Sequence, residues 1–339
     1  MPTYLVTGAD GFLGYHVVKA LNARGDRPRV LVAADADHRS PALRHLNALD
    51  IDLVEGNLDD PPSLATACAG VDVIFHTAFA IALGGGIRVE ETLRQGNLFK
   101  TLNLLDAAAA ADVTRVIVSS SSLTVGLNAT PEPLNEAADW PAHAFELPYA
   151  LSRREAELAA LAHFSAGEGP EVIAINPSFT LGPEDFLGAP ANGLVKRMAK
   201  PGFRIRLPIG FGVLDVRDYA RGALLAAEHG QHGQRYLLSS HNLDSDRLVR
   251  EVAVAAGIQP PGWQLTLRPW LLRPIVVLLN LWNRLRGKPP VVSMKLFQLW
   301  DHYAWYDNSR ACTELGWEPM LLQQSLRDTI DWQRSEGTE

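Results

Sequence analysis

Three glycines near the start of the chain constrain its fold more than any other feature. The apolar run at residues 4–6 predicts a short buried strand, and residues 15–21 predict a helix. Between them lie Gly8, Gly11 and Gly14. Gly8 can take the tight turn off the strand, Gly11 has no side chain to hold a pyrophosphate away from the backbone, and Gly14 lets the helix pack closely on the sheet. Because free N–H groups at a helix start attract phosphates, the pattern predicts a dinucleotide-binding loop.

Short apolar runs alternate with helical segments over the first half of the chain. Strands alternating with helices at this short spacing imply parallel βαβ units with right-handed crossovers. We therefore expect an α/β fold, with a Rossmann-type doubly wound parallel sheet over residues 1–177. The alternation fades after Pro177, so residues 178–339 are expected to form mainly a smaller mixed substrate-binding lobe, with some segments returning to the Rossmann core. Further strands are predicted at 29–32, 51–55, 71–76, 113–118 and 172–175, and further helices at 42–49, 61–68, 89–111 and 149–164.

The composition argues against several classes of protein. The chain has 339 residues, is 47 % apolar and carries a net charge of −7 without a basic block, which argues against nucleic acid as a partner. Cys68 and Cys312 are too far apart in sequence to indicate a disulfide framework or a metal site. The most apolar late stretch, residues 274–282, is too short for a membrane span, which needs roughly 20 apolar residues. With no basic-then-apolar leader before the first strand, we expect a cytoplasmic protein.

The last quarter of the chain is rich in aromatic residues, and helices are predicted there at 270–286, 292–300 and 321–332. Most of these aromatic residues are expected to fill the core between the helices. Together with an apolar, glycine-rich loop at 79–87, they also favour a pocket for a hydrophobic substrate. The arginine-flanked helix near 270–286 could rest on a membrane surface, but core packing is the expectation. The aromatic residues are Trp263, Trp270, Trp282, Trp300, Tyr303, Trp305 and Tyr306.

A serine cluster and a later tyrosine are the candidate catalytic residues. Ser121 follows the fifth predicted strand, and ligands of open α/β sheets bind outside the carboxyl ends of strands. Tyr149 lies 28 residues later and begins a helix that could lie beside Ser121. A phenol has an ordinary pKa of about 10, so it exchanges protons near neutral pH only if a cation favours the phenolate. Arg153 is such a cation at i+4, whereas Arg154 at i+5 points to another face.

Three other titratable residues lie near these candidates. His76 ends the fourth predicted strand and is expected in the core rather than as a catalytic base. His143 and Glu146 lie in the loop before the tyrosine and could face a substrate, although solvated loop residues are the commoner case.

At these residues the chain resembles an extended short-chain dehydrogenase/reductase of the NAD-dependent epimerase/dehydratase family, in its dihydroflavonol-reductase-like and hopanoid-associated sugar epimerase-like groups. The resemblance covers most of the chain and departs from the family pattern at Asn57, where aspartate is usual, and at Lys100, where glycine is usual. The matching segments are 7–14, 56–60, 75–78, Asn97 with Thr101 and Asn103, 118–121 with Gly126, 176–178 with 182–183, 306–311 and 315–319.

The resemblance implies a role for each catalytic candidate. Tyr149 would be the general acid/base at a carbonyl or alcohol oxygen, and Ser121 would hydrogen-bond the same oxygen. The nicotinamide would exchange a hydride with the carbon. The family has lysine where this chain has Arg153, and arginine is larger, planar and forked. Three alternatives stay open: arginine does the lysine's work with adjusted geometry, the reaction has changed while the cofactor remains, or catalysis is lost.

The resemblance also implies NAD or NADP as the cofactor. After the second strand an acid normally binds the ribose 2′-hydroxyl, and an arginine accommodates a 2′-phosphate. Asp35 could reach the ribose and Arg39 could swing toward a phosphate, so the choice between NAD and NADP stays open. Two nearby acids make the binding of a 2′-phosphate less favourable. The residues expected to bind the cofactor are Gly8, Asp10, Gly11, Phe12, Leu13, Gly14, Asp35, Arg39, Asn57, Leu58, Thr77, Ala78, Asn97, Ser119, Tyr149, Arg153, Asn176, Pro177 and Ser178.

Three functions follow as hypotheses. The first is a dehydrogenase or reductase that moves a hydride to or from a hydrophobic ketone or alcohol. The second is a nucleotide-sugar epimerase of the same fold; a 4,6-dehydratase is disfavoured because that subgroup has Thr-Asp-Glu where this chain has residues 121–123. The third is a cofactor-binding protein with altered or lost catalysis, and a homodimer is implied by the resemblance alone. Cations for a sugar nucleotide could come from Arg197, Arg204, Arg206 and Arg217.

Overall fold

The computed structural model describes residues 2–37, 39–79, 87–140, 147–286 and 294–336. Its strands are β1 (Tyr4–Thr7), β2 (Arg29–Val32), β3 (Asp52–Glu55), β4 (Val73–His76), β5 (Arg115–Ser119), β6 (Glu171–Pro177), β7 (Phe179–Leu181), β8 (Ile205–Arg206), β9 (Ile209–Asp215), β10 (Arg235–Leu238), β11 (His241–Asp244), β12 (Leu265–Thr266) and β13 (His302–Ala304). Its helices are α1 (Phe12–Ala23), α2 (Pro41–Leu46), α3 (Pro61–Cys68), α4 (Ile87–Ala110), α5 (Pro148–Leu161), α6 (Pro190–Met198), α7 (Val216–His229), α8 (Ser245–Ala255), α9 (Pro269–Leu285), α10 (Ser309–Leu315) and α11 (Leu322–Glu336), with 3₁₀ helices at Ser122–Val125 and Met294–Leu299.

Seven parallel strands form the central sheet, in the order β10-β6-β5-β4-β1-β2-β3. In β1, Val6 lies opposite Val30 of β2 on one side and opposite Phe75 of β4 on the other. The chain therefore reverses its direction across the sheet at β1. Such a switch point is where open α/β sheets bind ligands, outside the carboxyl ends of the strands. The predicted Rossmann-type doubly wound sheet is confirmed.

Helices cover both faces of the central sheet. On one face, Leu21 of α1 and Tyr219 of α7 belong to the core beneath the strands. On the other face, Leu64 of α3, Leu104 of α4 and Ala160 of α5 form a second core. Burial on both faces explains why the central strands read as continuous apolar runs, since parallel strands have no solvated side.

A smaller sheet follows the central one, in the order β11-β9-β13, and β7 also pairs with β9. Val195 of α6, Val252 of α8 and Leu326 of α11 share the apolar core that packs with it. Three later elements instead join the central layers, because β10 pairs in parallel with β6 and both α7 and α10 contribute to the core beneath the sheet. The expected division into residues 1–177 and a substrate lobe of residues 178–339, with some segments returning to the Rossmann core, stays a prediction.

The structure corrects the sequence analysis in the second half of the chain. The helix predicted at 292–300 is wrong, since the described part of that stretch holds only a 3₁₀ helix. Three helices and several strands between residues 178 and 260 were not predicted. The apolar loop predicted at 79–87 lies outside the described residues except at its two ends.

Most of the late aromatic residues were expected in the core, and three tryptophans lie outside it. Trp263, Trp270 and Trp282 are 60 %, 71 % and 54 % exposed. The helix α9, which was expected to pack in the core, is exposed as well. Among the described residues, no helix has the length and apolarity needed to cross a bilayer. The remaining aromatic residues are at least partly buried: Trp300, Tyr303, Trp305 and Tyr306.

Gly14 is a position where a methyl group would disturb the fold directly. A Cβ there would lie 2.2 Å from the carbonyl oxygen of Gly8 and 2.5 Å from Thr77 Oγ1. We expect Gly14→Ala to lower the free energy of unfolding by about 2 kcal/mol or more, because overpacking forces the backbone to shift. The matched control is Gly193→Ala in α6, where a Cβ meets nothing within 4 Å. Urea unfolding measures both variants, and equal stabilities would contradict this account.

Candidate functional site

The glycine loop lies tightly against the end of β4. Gly8 has a φ of +72°, and a Cβ there would lie 2.6 Å from the Ala78 backbone. The Thr77 hydroxyl donates to the carbonyl of Thr7 at 2.7 Å, which joins the ends of β1 and β4. Gly14 lies against Gly8, so the first turn of α1 packs onto the loop. The three glycine positions therefore bring a helix start to the switch point of the sheet.

The start of α1 is open to an anion. Gly11 is the residue before the helix, its N–H donates to the Gly8 carbonyl at 3.0 Å, and no side chain caps the helix. Asp10 is exposed beside it, and Phe12 and Leu13 are partly exposed in the first turn. Uncapped N–H groups at a helix start form an anion site through their orientation and the helix dipole.

The residues expected near the adenosine moiety line the ends of β2 and β3. Asp35 and Arg39 are both exposed in the segment after β2. Asn57 holds its own turn, because its Oδ1 accepts the Asp59 N–H at 2.9 Å. The Leu58 carbonyl accepts a hydrogen bond from the Asn103 side chain of α4 at 3.1 Å.

Ser121, Tyr149 and Arg153 meet at the carboxyl end of β5. Ser121 follows that strand, and its Oγ accepts the Leu123 N–H at 3.3 Å. Tyr149 lies in the first turn of α5, and Arg153 follows one turn later on the same helix face. Arg153 is only 4 % exposed, and its Nη1 donates to the Ser119 carbonyl at 3.3 Å. The fold thus brings the three predicted catalytic candidates together.

These contacts set the pKa of Tyr149. Burial alone would raise the pKa of the phenol, but the Arg153 charge and hydrogen bonds from Arg153 and Ser121 hold it below its ordinary value of 10.0. The Arg153 guanidinium carbon lies 5.7 Å from the centroid of the Tyr149 ring. The phenolate, which is the form that accepts a proton, is therefore more accessible at Tyr149 than in a free tyrosine.

Arg153 is held by an aromatic ring as well as by hydrogen bonds. Its guanidinium carbon lies 3.8 Å from the centroid of Phe79, an arrangement that suits a planar, weakly hydrated cation. Its buried Nε has no hydrogen-bond partner among the described residues, and the same holds for Asn176 Oδ1 and Ser178 Oγ. Since buried polar groups are normally paired, three such groups beside β5 and β6 fit a polar ligand such as the nicotinamide riboside part of a dinucleotide. Pro177 ends β6 between the last two.

Glu157 is a site residue that the sequence analysis missed. Its side chain is buried, and its Oε2 accepts hydrogen bonds from Ser120, from Thr124 at 2.8 Å and from Asn176 at 2.6 Å. Arg235 of β10 balances the charge, with Nε 3.0 Å from Oε1. This carboxylate therefore fixes the serine segment to β6. The available signal was spacing, because Glu157 follows Arg153 by four residues on one helix face.

Comparison with known families decides the class of this protein. Residues 4–239 match the model of the NAD dependent epimerase/dehydratase family. The chain belongs to this family. It is therefore an NAD(P)-dependent enzyme of the extended short-chain dehydrogenase/reductase type. The resemblance inferred from the sequence motifs is confirmed.

Full-length relatives support the same assignment. Sterol demethylase protein B of Methylococcus capsulatus is 28 % identical over 340 residues, covering 99 % of this chain and 99 % of the relative. The 2-alkyl-3-oxoalkanoate reductase of Stenotrophomonas maltophilia is 27 % identical over 346 residues, covering 95 % of this chain and 97 % of the relative. Among solved structures, gox2253 superposes with a TM-score of 0.83 at 30 % identity, covering 99 % of both chains.

In this member of the family, His76 links the glycine loop to two helices. Its Nδ1 lies 2.8 Å from the Thr7 hydroxyl and its Nε2 lies 3.2 Å from the Thr101 hydroxyl. The Thr101 hydroxyl donates to the carbonyl of Asn97, and the Asn97 side chain donates to Ser152 of α5. Burial, with a smaller effect of the nearby arginine charge, lowers the pKa of His76 to about 3. The histidine is a neutral core residue, as expected.

Two other expectations concern the surroundings of the tyrosine. Arg154 points away from it, as predicted, since its Nη1 donates to the Thr124 carbonyl at 2.7 Å and its guanidinium lies 4.8 Å from the Trp140 ring centroid. His143 and Glu146 lie outside the described residues.

The pH dependence of stability tests the burial of His76. Its folded pKa of about 3 lies below the ordinary 6.5, so below pH 6.5 the unfolded chain binds a proton that the folded chain does not. The contribution of neutral His76 to the free energy of unfolding is therefore fully present above pH 6.5 and is lost as the pH falls toward 3. We expect His76→Gln to reduce the slope of stability against pH by up to about 1.4 kcal/mol per unit between about pH 6 and pH 4. Urea unfolding at several pH values measures the slope.

The exposed His229 provides the control for this experiment. His229→Gln should leave the slope as it is in the unaltered protein. If His76→Gln also left the slope unchanged, the buried, neutral state of His76 would be disproved.

Proposed function

We propose that this enzyme reduces a hydrophobic ketone, or oxidises the corresponding alcohol, by hydride transfer. The observation that carries the proposal is the phenol of Tyr149, held between the Ser121 hydroxyl and the buried charge of Arg153 with a lowered pKa. When bound, the nicotinamide supplies the hydride or accepts it.

The chain's own residues handle the proton and the oxygen. In alcohol oxidation Tyr149 takes the hydroxyl proton as the phenolate, and in reduction it returns a proton to the carbonyl oxygen. Ser121 donates a hydrogen bond to that oxygen and fixes it beside the phenol. A positioned acid/base of this kind contributes about 10²- to 10⁴-fold to a rate.

Arg153 replaces the family lysine in our proposal without loss of the cofactor or of the reaction. It retains the positive charge beside Tyr149, and that charge lowers the phenol pKa. Its unpartnered Nε is available to a ribose hydroxyl of the cofactor. Lost catalysis is disfavoured, since a chain released from catalysis has no reason to hold a buried cation against this phenol.

The surroundings of Tyr149 favour an apolar substrate. Its ring packs with a cluster that includes Leu123, Leu127, Trp140 and Leu299. These side chains offer carbon surface rather than the charges and amides that a sugar nucleotide needs. The full-length relatives point the same way, since one is named for a sterol and one for a 2-alkyl-3-oxoalkanoate.

Two of the four arginines that could have served a nucleotide sugar contact other residues of the chain. Arg217 forms ion pairs with Asp215 at 2.9 Å and with Asp328 at 2.7 Å. Arg204 lies over the exposed ring of Trp263 at 4.6 Å. Since these two arginines already have partners, we rank the epimerase hypothesis second.

Replacing Tyr149 tests the proton-transfer role. We expect Tyr149→Phe to lower kcat about 10²- to 10⁴-fold while cofactor affinity changes little, because only the phenol oxygen is lost. The measurement is nicotinamide oxidation or reduction with a panel of apolar ketones and alcohols, alongside a fluorescence titration of the cofactor. The matched control is Tyr236→Phe, which removes a phenol that donates to Glu314 in another part of the fold.

Two outcomes would overturn the proposal. Unchanged turnover in Tyr149→Phe would remove the tyrosine from the mechanism. Turnover of nucleotide sugars, with no hydride exchange on any apolar ketone or alcohol, would establish the epimerase hypothesis instead.

Replacing Arg153 tests how its charge acts. Alcohol oxidation needs the phenolate, so its rate rises as the pH passes upward through the Tyr149 pKa. We expect Arg153→Gln to move this rise to higher pH, by at least about one unit, because the cation no longer stabilises the phenolate. Arg153→Lys should keep the rise near its original pH and retain activity within about tenfold.

The pH profile of kcat distinguishes these cases. A large loss of activity in Arg153→Lys with an unshifted profile would show that arginine has a role beyond its charge. An unshifted profile in Arg153→Gln would show that the charge does not control the phenol.

A further inference from the structure

The helix α9 exposes an apolar surface that a water-soluble helix would bury. Of the 17 large apolar side chains that are exposed in the described part of the chain, nine belong to this helix. Trp270, Leu278 and Leu285 are 71 %, 65 % and 76 % exposed, and none of its described side chains is buried. Exposed apolar surface on this scale marks an interaction site.

The chain on either side of α9 is fixed to the rest of the protein, although no other part of the described structure covers the apolar surface of the helix. Before the helix, β12 pairs with β8, and the Trp300 indole donates to the Leu267 carbonyl at 3.0 Å. Within the helix, the Arg273 guanidinium lies 5.7 Å from the ring centroid of Phe297. The helix is therefore displayed on a fixed base rather than left as a free tail.

The charged residues of the sequence segment 252–300, which contains the helix, are all basic, although Arg268 at the helix start pairs with Asp301 at 3.6 Å. No aspartate or glutamate occurs between Glu251 and Asp301. The remainder of the chain holds 25 basic and 38 acidic residues, a net charge of −13, whereas the whole chain carries −7. The segment thus concentrates positive charge on an otherwise acidic protein. Its six basic residues are Arg268, Arg273, Arg284, Arg286, Lys288 and Lys295.

This charge pattern indicates which kind of partner could cover the apolar surface of α9. Two copies of the segment packed together would bring like charges into contact, which opposes self-association. The helix has 17 residues, and among the described residues no helix is long and apolar enough to cross a bilayer. An anionic lipid surface satisfies both features at once, because acyl chains accept the leucines and lipid phosphates accept the arginines.

The tryptophans fit the same surface. Trp270 lies near the start of the helix and Trp282 near its end, and Arg286 lies 4.2 Å from the Trp282 ring centroid. Tryptophan rings accumulate at the headgroup level of bilayers, where one side is apolar and the other wet. Both rings are exposed and can therefore contact that layer when the helix lies in the membrane plane.

We propose that α9 lies in the headgroup layer of an anionic membrane and docks the enzyme there as a peripheral protein. The proposal rests on the exposed helix and its charges, and it is independent of the reaction assigned above.

Vesicle binding by the full-length enzyme tests the proposal. Vesicles of phosphatidylcholine and phosphatidylglycerol in equal parts should sediment with the protein, and pure phosphatidylcholine vesicles should bind it at least tenfold more weakly. Raising the salt concentration should weaken the binding, since surface charges are screened. Failure to bind the anionic vesicles would overturn the proposal.

Variants separate the two features of the surface. The double variant Leu278→Asp with Trp282→Asp should lose most binding, and Arg284→Gln with Arg286→Gln should weaken it at least tenfold, at about fivefold per arginine. All four side chains are exposed, so folding should be kept, which circular dichroism and cofactor titration would verify. The matched control is Leu187→Asp, because Leu187 is 65 % exposed outside the segment.

The variants also show whether α9 binds a second copy of the chain instead of a membrane. Equal vesicle binding by the double variant and the control would contradict the proposal. A second contradiction would be an unaltered protein that does not bind vesicles and forms a dimer in analytical ultracentrifugation. If Leu278→Asp dissociated that dimer, α9 would bind a second copy of the chain rather than a membrane.

Discussion

The buried charge of Arg153 is the interaction on which the site depends. A guanidinium removed from water is unfavourable unless other groups replace its hydration. Here the groups that replace water around the guanidinium are the Ser119 carbonyl, the face of Phe79 and the phenol of Tyr149. Each partner comes from a different element, so the cation is satisfied only when the ends of β4 and β5 and the start of α5 are in place. The proposed cofactor site and the proposed catalytic pair therefore form as one unit.

The parallel topology makes that convergence possible. The strand order reverses at β1, and the carboxyl ends of β1, β4, β5 and β6 all reach the same edge of the sheet. On α5, residues spaced by four place Tyr149, Arg153 and Glu157 in a row facing that edge. The first makes contact with the reacting oxygen in our proposal, the second tunes it, and the third ties the serine segment to β6. In our proposal, the first residues on this helix face take part in proton transfer, and the later Glu157 stabilises the fold around them.

The sequence predicted the parts of this design that are local. Glycine spacing, the alternation of strands and helices, and the Tyr149–Arg153 spacing are all properties of short windows, and the structure contains each. Glu157 was missed because its meaning depends on Ser120, Asn176 and Arg235, which lie far away in sequence. The exposure of α9, with Trp270 and Trp282, was missed for a related reason. Hydrophobicity indicates that a side chain avoids water, but it does not say whether protein or another apolar phase replaces the water.

A short stretch of chain joins the proposed catalytic site to the exposed helix. Leu299 packs in the apolar cluster that contains Tyr149, and Phe297, two residues earlier, contacts Arg273 of α9. A ketone with a large carbon skeleton dissolves poorly in water and collects in lipid. An enzyme with carbon surface around its phenol therefore gains from holding that surface close to a bilayer, because substrate then need not cross water as a free molecule. The same preference for apolar surroundings would explain both the cluster around Tyr149 and the composition of α9.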